Sequence, residues 1–286
     1  ELTEPIEAPF GPYRVLTSPP NTQGFSLLRT LLALERTPLR DPLGADAAAL
    51  AALFAGNNAV RDTYLADPRS GGASAEALLD LPVPGPARLD AAPRATGDTV
   101  GVSAISADGW AVSLIQSIYH GFGAAILEPD TGVLFHNRGT SFSLDPAAAN
   151  VFAPGKRPRH TLMPVLVLRG SEVAWVSSTM GGQGQPQVHA QLLLRSWAGA
   201  SPAEATSAPR FCVDVQRSGA PVPTIVFEED LPEDARRALL STGLLPVPLP
   251  PHSEKLGHAN LIRVEPDGSF SAASDPRSDG SAAIVL

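Results

Sequence analysis

Residues 97–117 read GDTVGVSAISADGWAVSLIQS, and this stretch decides how the second part of the chain folds. Residues 99–106 and 110–117 alternate in polarity, and Ala107-Asp108-Gly109 supplies a turn between them. A period of two around a turn that contains glycine is typical of paired antiparallel strands. The stretch therefore predicts a β-hairpin whose first strand begins at Thr99.

Thr99 is a candidate nucleophile because of what precedes it. Residues 81–97 are rich in Pro, Ala and Gly and lack apolar periodicity, which predicts a linker where the chain can be cut. Cleavage between Asp98 and Thr99 would give Thr99 a free α-amine beside its hydroxyl, so that one residue supplies both nucleophile and base. Asp98 is a group able to favour the N-to-O acyl shift in such a cleavage. Without this context, a threonine at the start of a strand is an ordinary β-former.

Two further elements complete a candidate catalytic site. Ser117 ends the partner strand, where it can hydrogen-bond to the hydroxyl or amine of Thr99, although a strand-end serine without a role fits the spacing equally well. Gly181 and Gly182 follow a predicted strand and precede a predicted helix, so their N–H groups can stabilise an oxyanion. Each such donor contributes about 2.7–4 kcal/mol. A Gly-Gly pair is also a common turn, and this alternative stays open.

The remaining sequence predicts an α+β fold. Residues 1–98 are predicted to be mostly helical, with helical spacing of apolar residues over 25–34 and 47–65. Hairpins dominate after Thr99 and helices follow Met180, which indicates strands and helices that are segregated along the chain. The other predicted elements are hairpins at 124–136, 164–177 and 261–273, a strand at 224–227, and helices at 187–197, from Ser201 onward and at 232–241.

The composition argues against several classes of function. The net charge of −8 and the pI near 5.2, without clustered Lys and Arg, argue against a nucleic-acid partner. No run of 18 apolar residues occurs, so no membrane-spanning segment is predicted. His120 and His136 fit no metal-ligand spacing with any other residue. No nucleotide-binding or cofactor motif is present, so neither a metal nor a cofactor is predicted.

Cys212 is the single cysteine, and its neighbours Phe211 and Val213 predict a buried, unreactive thiol. One cysteine excludes an internal disulfide and favours a cytoplasmic over a secreted protein. The chain begins Glu-Leu-Thr-Glu, which is neither a start methionine nor a signal peptide, and it is expected to be a processed or truncated piece. Self-association into a homo-oligomer stays open.

Seven short motifs carry a family resemblance. They are GDT (97–99), DGWAVS (108–113), GFG (121–123), APGKRP (153–158), MGG (180–182), APRF (208–211) and SDPRSDG (274–280). In this order the chain resembles the γ-glutamyltranspeptidase family of N-terminal nucleophile hydrolases. The resemblance implies a four-layer αββα sandwich, self-cleavage of a proenzyme, and a small subunit that starts at the nucleophile. Residues 1–98 would then be the C-terminal part of the large subunit and residues 99–286 the small, catalytic subunit, with the remainder of the large subunit as a partner.

The departures from the family pattern concern the substrate. Where other members have Asn-Gln-Met-Asp-Asp-Phe to bind the α-amino group of a glutamyl donor, Arg138 and Ser141 replace the Gln and the second Asp. His160 and Thr161 replace serines that bind the α-carboxylate, and Tyr119 replaces an asparagine contact. A cation at 138 disfavours a substrate ammonium, because like charges in a dry pocket repel. This pattern resembles the branch of oxamate amidohydrolase and cephalosporin-acylase-like proteins.

Three functional hypotheses follow. The favoured one is an amidohydrolase that cleaves small carboxylate-bearing acyl amides through an acyl-enzyme on Thr99. The second is a conventional γ-glutamyl hydrolase or transferase that acts on glutathione-like donors. The third is an inactive fragment or pseudoenzyme, because the family's carboxylate-binding arginine belongs to the part of the large subunit that precedes this chain.

Overall fold

The computed structural model describes residues 2–83, 97–213 and 223–284, in which helices and strands are mixed as an α+β fold. The helices are α1 (Phe25–Arg36), α2 (Ala47–Tyr64), α3 (Ala75–Asp80), α4 (Gln185–Trp197), α5 (Pro202–Ser207) and α6 (Glu233–Leu240). The strands are β1 (Ile6–Phe10), β2 (Tyr13–Thr17), β3 (Gly97–Ile105), β4 (Ala111–His120), β5 (Leu127–Glu128), β6 (Val133–Leu134), β7 (Val165–Arg169), β8 (Glu172–Met180), β9 (Phe211–Val213), β10 (Thr224–Glu228), β11 (Leu245–Leu249), β12 (His258–Val264) and β13 (Phe270–Ser274).

A six-stranded antiparallel sheet in the order β1-β2-β7-β8-β12-β13 is the centre of the fold. Ser177 and Ser178 on β8 show how it is covered, since successive strand residues point to opposite faces. The Ser177 hydroxyl lies 3.0 Å from His189 Nδ1 on α4, and the Ser178 hydroxyl lies 2.9 Å from that of Ser103 on β3. One face of the sheet therefore packs against helices and the other against the β3–β4 hairpin.

The predicted hairpin at 99–117 is confirmed, and β3 and β4 pair with Thr99 opposite Ser117. The hairpins predicted at 124–136, 164–177 and 261–273 are also present, the first of them reduced to the short strands β5 and β6. Helix α5 begins with the predicted capping box, in which the Ser201 hydroxyl accepts from the Glu204 N–H and the Glu204 side chain accepts from the Ser201 N–H. Local sequence signals are sufficient for these elements.

The description of residues 1–98 as mostly helical is wrong at its start. Helices α1 and α2 lie where they were predicted, but β1 and β2 form the outer pair of the main sheet, and β2 pairs with β7. Pro9 in β1 lowers the strand signal, and it is tolerated because β1 is an edge strand. Of the predicted linker, residues 84–96 lie outside the described residues, and Gly97 already belongs to β3.

A second sheet in the order β11-β10-β9 was predicted only at its central strand. Pro246 and Pro248 weaken the strand signal of β11 in the sequence. This strand runs parallel to β10 at the edge of the sheet, where prolines without N–H groups are tolerated. Strand β9 is only three residues long, and Cys212 at its centre is buried as predicted. Burial raises the pKa of the Cys212 thiol to about 12.

Candidate active site

Thr99 and Ser117 face each other across the hairpin. The Thr99 hydroxyl donates a hydrogen bond to the Ser117 hydroxyl at 2.9 Å, so the predicted contact is present. The pairing register shifts between Gly97 and Thr99, which marks an irregularity at the start of β3. Ser117 Oγ also accepts a hydrogen bond from the N–H of Tyr119 at 3.0 Å, and this bond links the pair to the pocket beyond it.

Residues 180–184, which we call the glycine loop, connect the end of β8 to α4. Gly181 and Gly182 have φ of +151° and +53°, values that favour glycine. Their carbonyls are engaged, because the Gly181 oxygen accepts from the Gly184 N–H and the Gly182 oxygen accepts from Gln23 Nε2, both at 2.8 Å. No acceptor for the N–H of Gly181 or Gly182 lies among the residues that the structure describes. The loop thus presents two free donors.

The hairpin contacts the end of β8, just before the glycine loop, through small residues. A Cβ on Gly101 would lie 3.0 Å from Ser178 Oγ and 3.2 Å from Thr179 N, and Asn260 Nδ2 donates to the Gly101 carbonyl. Moving from Ser103 to Gly101 along β3 therefore moves from Ser178 toward Thr179 along β8. Thr99 is the next residue on that face of β3, so its position continues toward the glycine loop.

The five predicted substrate contacts line one pocket. Two of them, Ser141 and Arg138, come from a 3₁₀ turn, Tyr119 comes from the end of β4, and His160 and Thr161 come from the loop before β7. The complete lining is Arg61, Leu65, Tyr119, Arg138, Ser141, Arg159, His160, Thr161 and Gln183.

Four lining residues were not predicted as substrate contacts: Arg61, Leu65, Arg159 and Gln183. Gln183 directly follows Gly182, and this adjacency was the one available signal for it. Arg61 of α2 donates to the Gln183 carbonyl at 3.3 Å and to its side-chain oxygen at 3.2 Å. Nothing in the sequence pattern of α2 indicates that its end reaches this loop.

Arg138 is the dominant charge of the pocket. Its side chain is 5 % exposed, and its guanidinium carbon lies 4.0 Å from the centre of the Tyr119 ring. Nε and Nη2 donate to the Arg159 carbonyl, and Nη1 donates to the Thr161 hydroxyl. Arg138 has no acidic partner among the described residues. Burial lowers its pKa to about 10, so it stays protonated at neutral pH.

The neighbouring groups leave the pocket positive. Arg61 and Arg159 both pair with Asp62, at 3.0 and 3.7 Å. His160 Nδ1 accepts from the Leu162 N–H, and burial, with Arg138 as a second cause, lowers its pKa to about 3. His160 is therefore neutral at physiological pH. Among the described residues, three guanidinium groups and one carboxylate line or border the pocket, an arrangement suited to an anionic ligand.

The described residues contain no group of three or more His, Cys, Asp and Glu side chains that could bind a metal ion. Within the same residues, no helix combines the length and hydropathy needed to cross a bilayer.

Comparisons with known proteins identify the family of this chain. A family model described as Gamma-glutamyltranspeptidase matches residues 1–285. The chain belongs to the γ-glutamyltranspeptidase family. It is 34 % identical to the glutathione hydrolase-like YwrD proenzyme of Bacillus subtilis over 294 residues. This alignment covers 99 % of this chain and 56 % of that protein. It is also 36 % identical to the oxamate amidohydrolase proenzyme of Klebsiella pneumoniae over 235 residues. That alignment covers 79 % of this chain and 44 % of the Klebsiella protein.

Solved structures of the family show the same fold. The cephalosporin acylase from Bacillus halodurans superposes with a TM-score of 0.83 at 29 % identity, over 99 % of this chain and 53 % of that one. The γ-glutamyltranspeptidase from Pseudomonas nitroreducens gives a TM-score of 0.55 at 25 % identity, over 65 % of this chain and 99 % of that one. This family member thus spans about half the length of the curated relatives that it matches.

Proposed function

We propose that this chain carries the catalytic site of an N-terminal threonine amidohydrolase that cleaves small carboxylate-bearing acyl amides. The observation that carries the proposal is Arg138, a buried cation without an acidic partner among the described residues, in the pocket joined to Thr99 through Tyr119 and Ser117. Two of its five N–H groups have no acceptor in the described part of the chain, and a substrate carboxylate can accept hydrogen bonds from them.

The proposed reaction uses Thr99, Ser117 and the two glycines of the glycine loop. After cleavage of the Asp98–Thr99 bond, the Thr99 hydroxyl attacks the amide carbonyl while the new α-amine takes its proton, and Ser117 orients the hydroxyl. The N–H groups of Gly181 and Gly182 stabilise the negative oxygen of the tetrahedral intermediate. The leaving amine takes a proton as the C–N bond breaks, and water then hydrolyses the ester on Thr99 to release the acid.

The acyl group carries the specificity. A carboxylate at Arg138 forms charge-assisted hydrogen bonds, with Thr161 and the neutral His160 beside it. A γ-glutamyl group would bring an ammonium toward the same cation. γ-Glutamyl hydrolysis is the second candidate, because the Bacillus subtilis relative is named glutathione hydrolase-like.

The remainder of a large subunit is proposed as the partner of the hairpin. Val100, Val102, Val112 and Leu114 form an apolar stripe on the face of β3–β4 that turns away from the main sheet, and each is 46–61 % exposed. Covering this stripe with further layers would complete the four-layer αββα sandwich. The Pseudomonas nitroreducens structure supports the subunit boundary at Thr99. Its match covers 99 % of that chain but only 65 % of this one, which is the share that residues 99–286 represent.

The test uses the full-length protein, with Thr99→Ala and Ser103→Ala as a matched pair, because both lose a hydroxyl from the same face of β3. Mass spectrometry should find two fragments that meet at Asp98–Thr99 in the wild type and in Ser103→Ala, and one uncut chain in Thr99→Ala. The first two proteins should hydrolyse glutaryl or succinyl anilides, and Thr99→Ala should not. Identical fragments from Thr99→Ala and wild type would rule out self-cleavage by Thr99. Amide hydrolysis that survives Thr99→Ala would rule out its role as nucleophile.

A further inference from the structure

Gly257 lies against the glycine loop at a distance that no side chain allows. Its φ of +87° and ψ of 163° belong to a region that is nearly restricted to glycine. A Cβ on Gly257 would lie 2.5 Å from the Met180 carbonyl oxygen and 3.4 Å from Gly181 Cα. Any larger residue must therefore displace the Met180–Gly181 peptide.

This peptide carries the N–H of Gly181. The Thr179 hydroxyl lies 2.6 Å from the Met180 carbonyl oxygen and 2.9 Å from the carbonyl oxygen of His258. Because a trans peptide is planar, with its C=O and N–H pointing in opposite directions, fixing the Met180 carbonyl also fixes the direction of the Gly181 N–H. Thr179 and Gly257 thus contact the same carbonyl.

A buried ion cluster anchors the segment that contains Gly257. Arg210 donates to the Gly257 carbonyl at 3.2 Å, Asp275 accepts from the Ala259 N–H at 3.0 Å, and Glu228 accepts from the Ser253 N–H at 2.8 Å. The cluster itself pairs Arg210 with Asp275, and Arg277 with both Asp275 and Glu228. All four side chains are buried, and the proposed reaction uses none of them. Through these hydrogen bonds the cluster holds the backbone of segment 253–259 in place.

We propose that Thr179 and Gly257 are positioning residues that set the direction of the Gly181 N–H, with the Arg210–Asp275 pair as their anchor. This inference rests on the proposed function, because the direction of that N–H matters only if an oxyanion forms beside it. Neither residue touches the substrate pocket, so their effect should fall on the chemical step and not on substrate binding.

The first test compares Gly257→Ala with Gly243→Ala in the full-length protein. Gly243 also has a positive φ, +75°, but a Cβ there would meet nothing within 4 Å, so this control carries backbone strain without the contact. Gly257→Ala should lower kcat by about 10²-fold, the scale expected for an oxyanion donor displaced by about 1 Å. KM should change little, because uniform binding is untouched. Gly243→Ala should keep the wild-type kcat.

A second pair decides the question if Gly257→Ala does not fold. Thr179→Val removes the hydroxyl at nearly constant volume and should lower kcat by about 10-fold or more, while Thr179→Ser keeps the hydroxyl and should restore most of the rate. Equal kcat in the wild type and Thr179→Val, or in the wild type and a folded Gly257→Ala, would overturn the inference alone, provided that Thr99-dependent hydrolysis is present. A full-length protein without such hydrolysis would overturn the proposed function first, and this inference with it.

Discussion

Replacing Arg138 by glutamine should shift the acyl preference of the full-length protein toward γ-glutamyl amides. Arg138 is nearly buried and lacks an acidic partner among the described residues, so a substrate carboxylate bound there forms a charge-assisted pair in an almost dry site. Truncating one member of such a pair costs about 2–5 kcal/mol. Since glutamine keeps one neutral hydrogen bond, a loss of about 3 kcal/mol is expected, which lowers kcat/KM for a glutaryl amide by about 10²-fold.

The same replacement should improve hydrolysis of the γ-glutamyl amide. At an effective dielectric constant of about 20, two like charges about 6 Å apart repel by roughly 3 kcal/mol. Removing the guanidinium abolishes this repulsion and should raise kcat/KM for the ammonium-bearing substrate by about 10²-fold. The two effects multiply, so the ratio of glutaryl to γ-glutamyl hydrolysis should fall by about 10⁴-fold. Adding Ser141→Asp, which restores the family's acidic residue, should increase the shift.

The assay measures kcat/KM for glutaryl- and γ-glutamyl-p-nitroanilide. Arg169→Gln is the matched control, because Arg169 also lies over a tyrosine ring, at 5.0 Å from Tyr13, but outside the pocket. The wild type and this control should prefer the glutaryl compound. A wild type that strongly prefers the γ-glutamyl compound would refute the reasoning, and so would an Arg138→Gln variant with an unchanged ratio.

Two further predictions concern buried groups outside the pocket. Burial lowers the pKa of His189 to about 3, so between pH 6.5 and pH 3 the unfolded chain binds a proton that the native state does not, and the free energy of unfolding decreases as the pH is lowered through that window. His189→Gln should therefore reduce the slope of unfolding free energy against pH by about 1.4 kcal/mol per pH unit, measured by urea denaturation with His252→Gln, at an exposed histidine, as the comparison variant. Cys212 should react with a thiol reagent only after denaturation, because its pKa is about 12 and it is fully buried, and stoichiometric labelling of the native protein would contradict this.

The elements that the sequence predicted are those whose signals are local. The β3–β4 hairpin needs only its alternation and its turn, and the turn then fixes the register that places Thr99 opposite Ser117. Strands β1 and β2 were missed because β2 depends on β7, which lies far along the chain. Pairing partners at that separation leave no trace in a short window of residues.

The residues of the pocket also differ in whether the sequence predicted them. Tyr119, Arg138, Ser141, His160 and Thr161 were found because family motifs cover the loops that carry them, and all five line the pocket. Arg61 and Leu65 were missed, because an arginine and a leucine at the end of a helix are ordinary residues until tertiary packing brings them beside Gln183. Resemblance supplied positions, and only the structure supplied the stacking of Arg138 on Tyr119.

The contact between the hairpin and the main sheet explains why small polar residues occupy the inner face of β3. Ser103 and Gly101 meet Ser178 and Asn260 through hydrogen bonds and close backbone approach, while the valines of β3 point away from the sheet. Larger apolar side chains on this face would pack well, but they would increase the distance between the hairpin and the main sheet. Because Thr99 continues the row of Ser103 and Gly101, the thickness of this layer contact sets how close its hydroxyl comes to the glycine loop. The small polar residues on the inner face of β3 and the valines on its outer face therefore serve the candidate site as well as the fold.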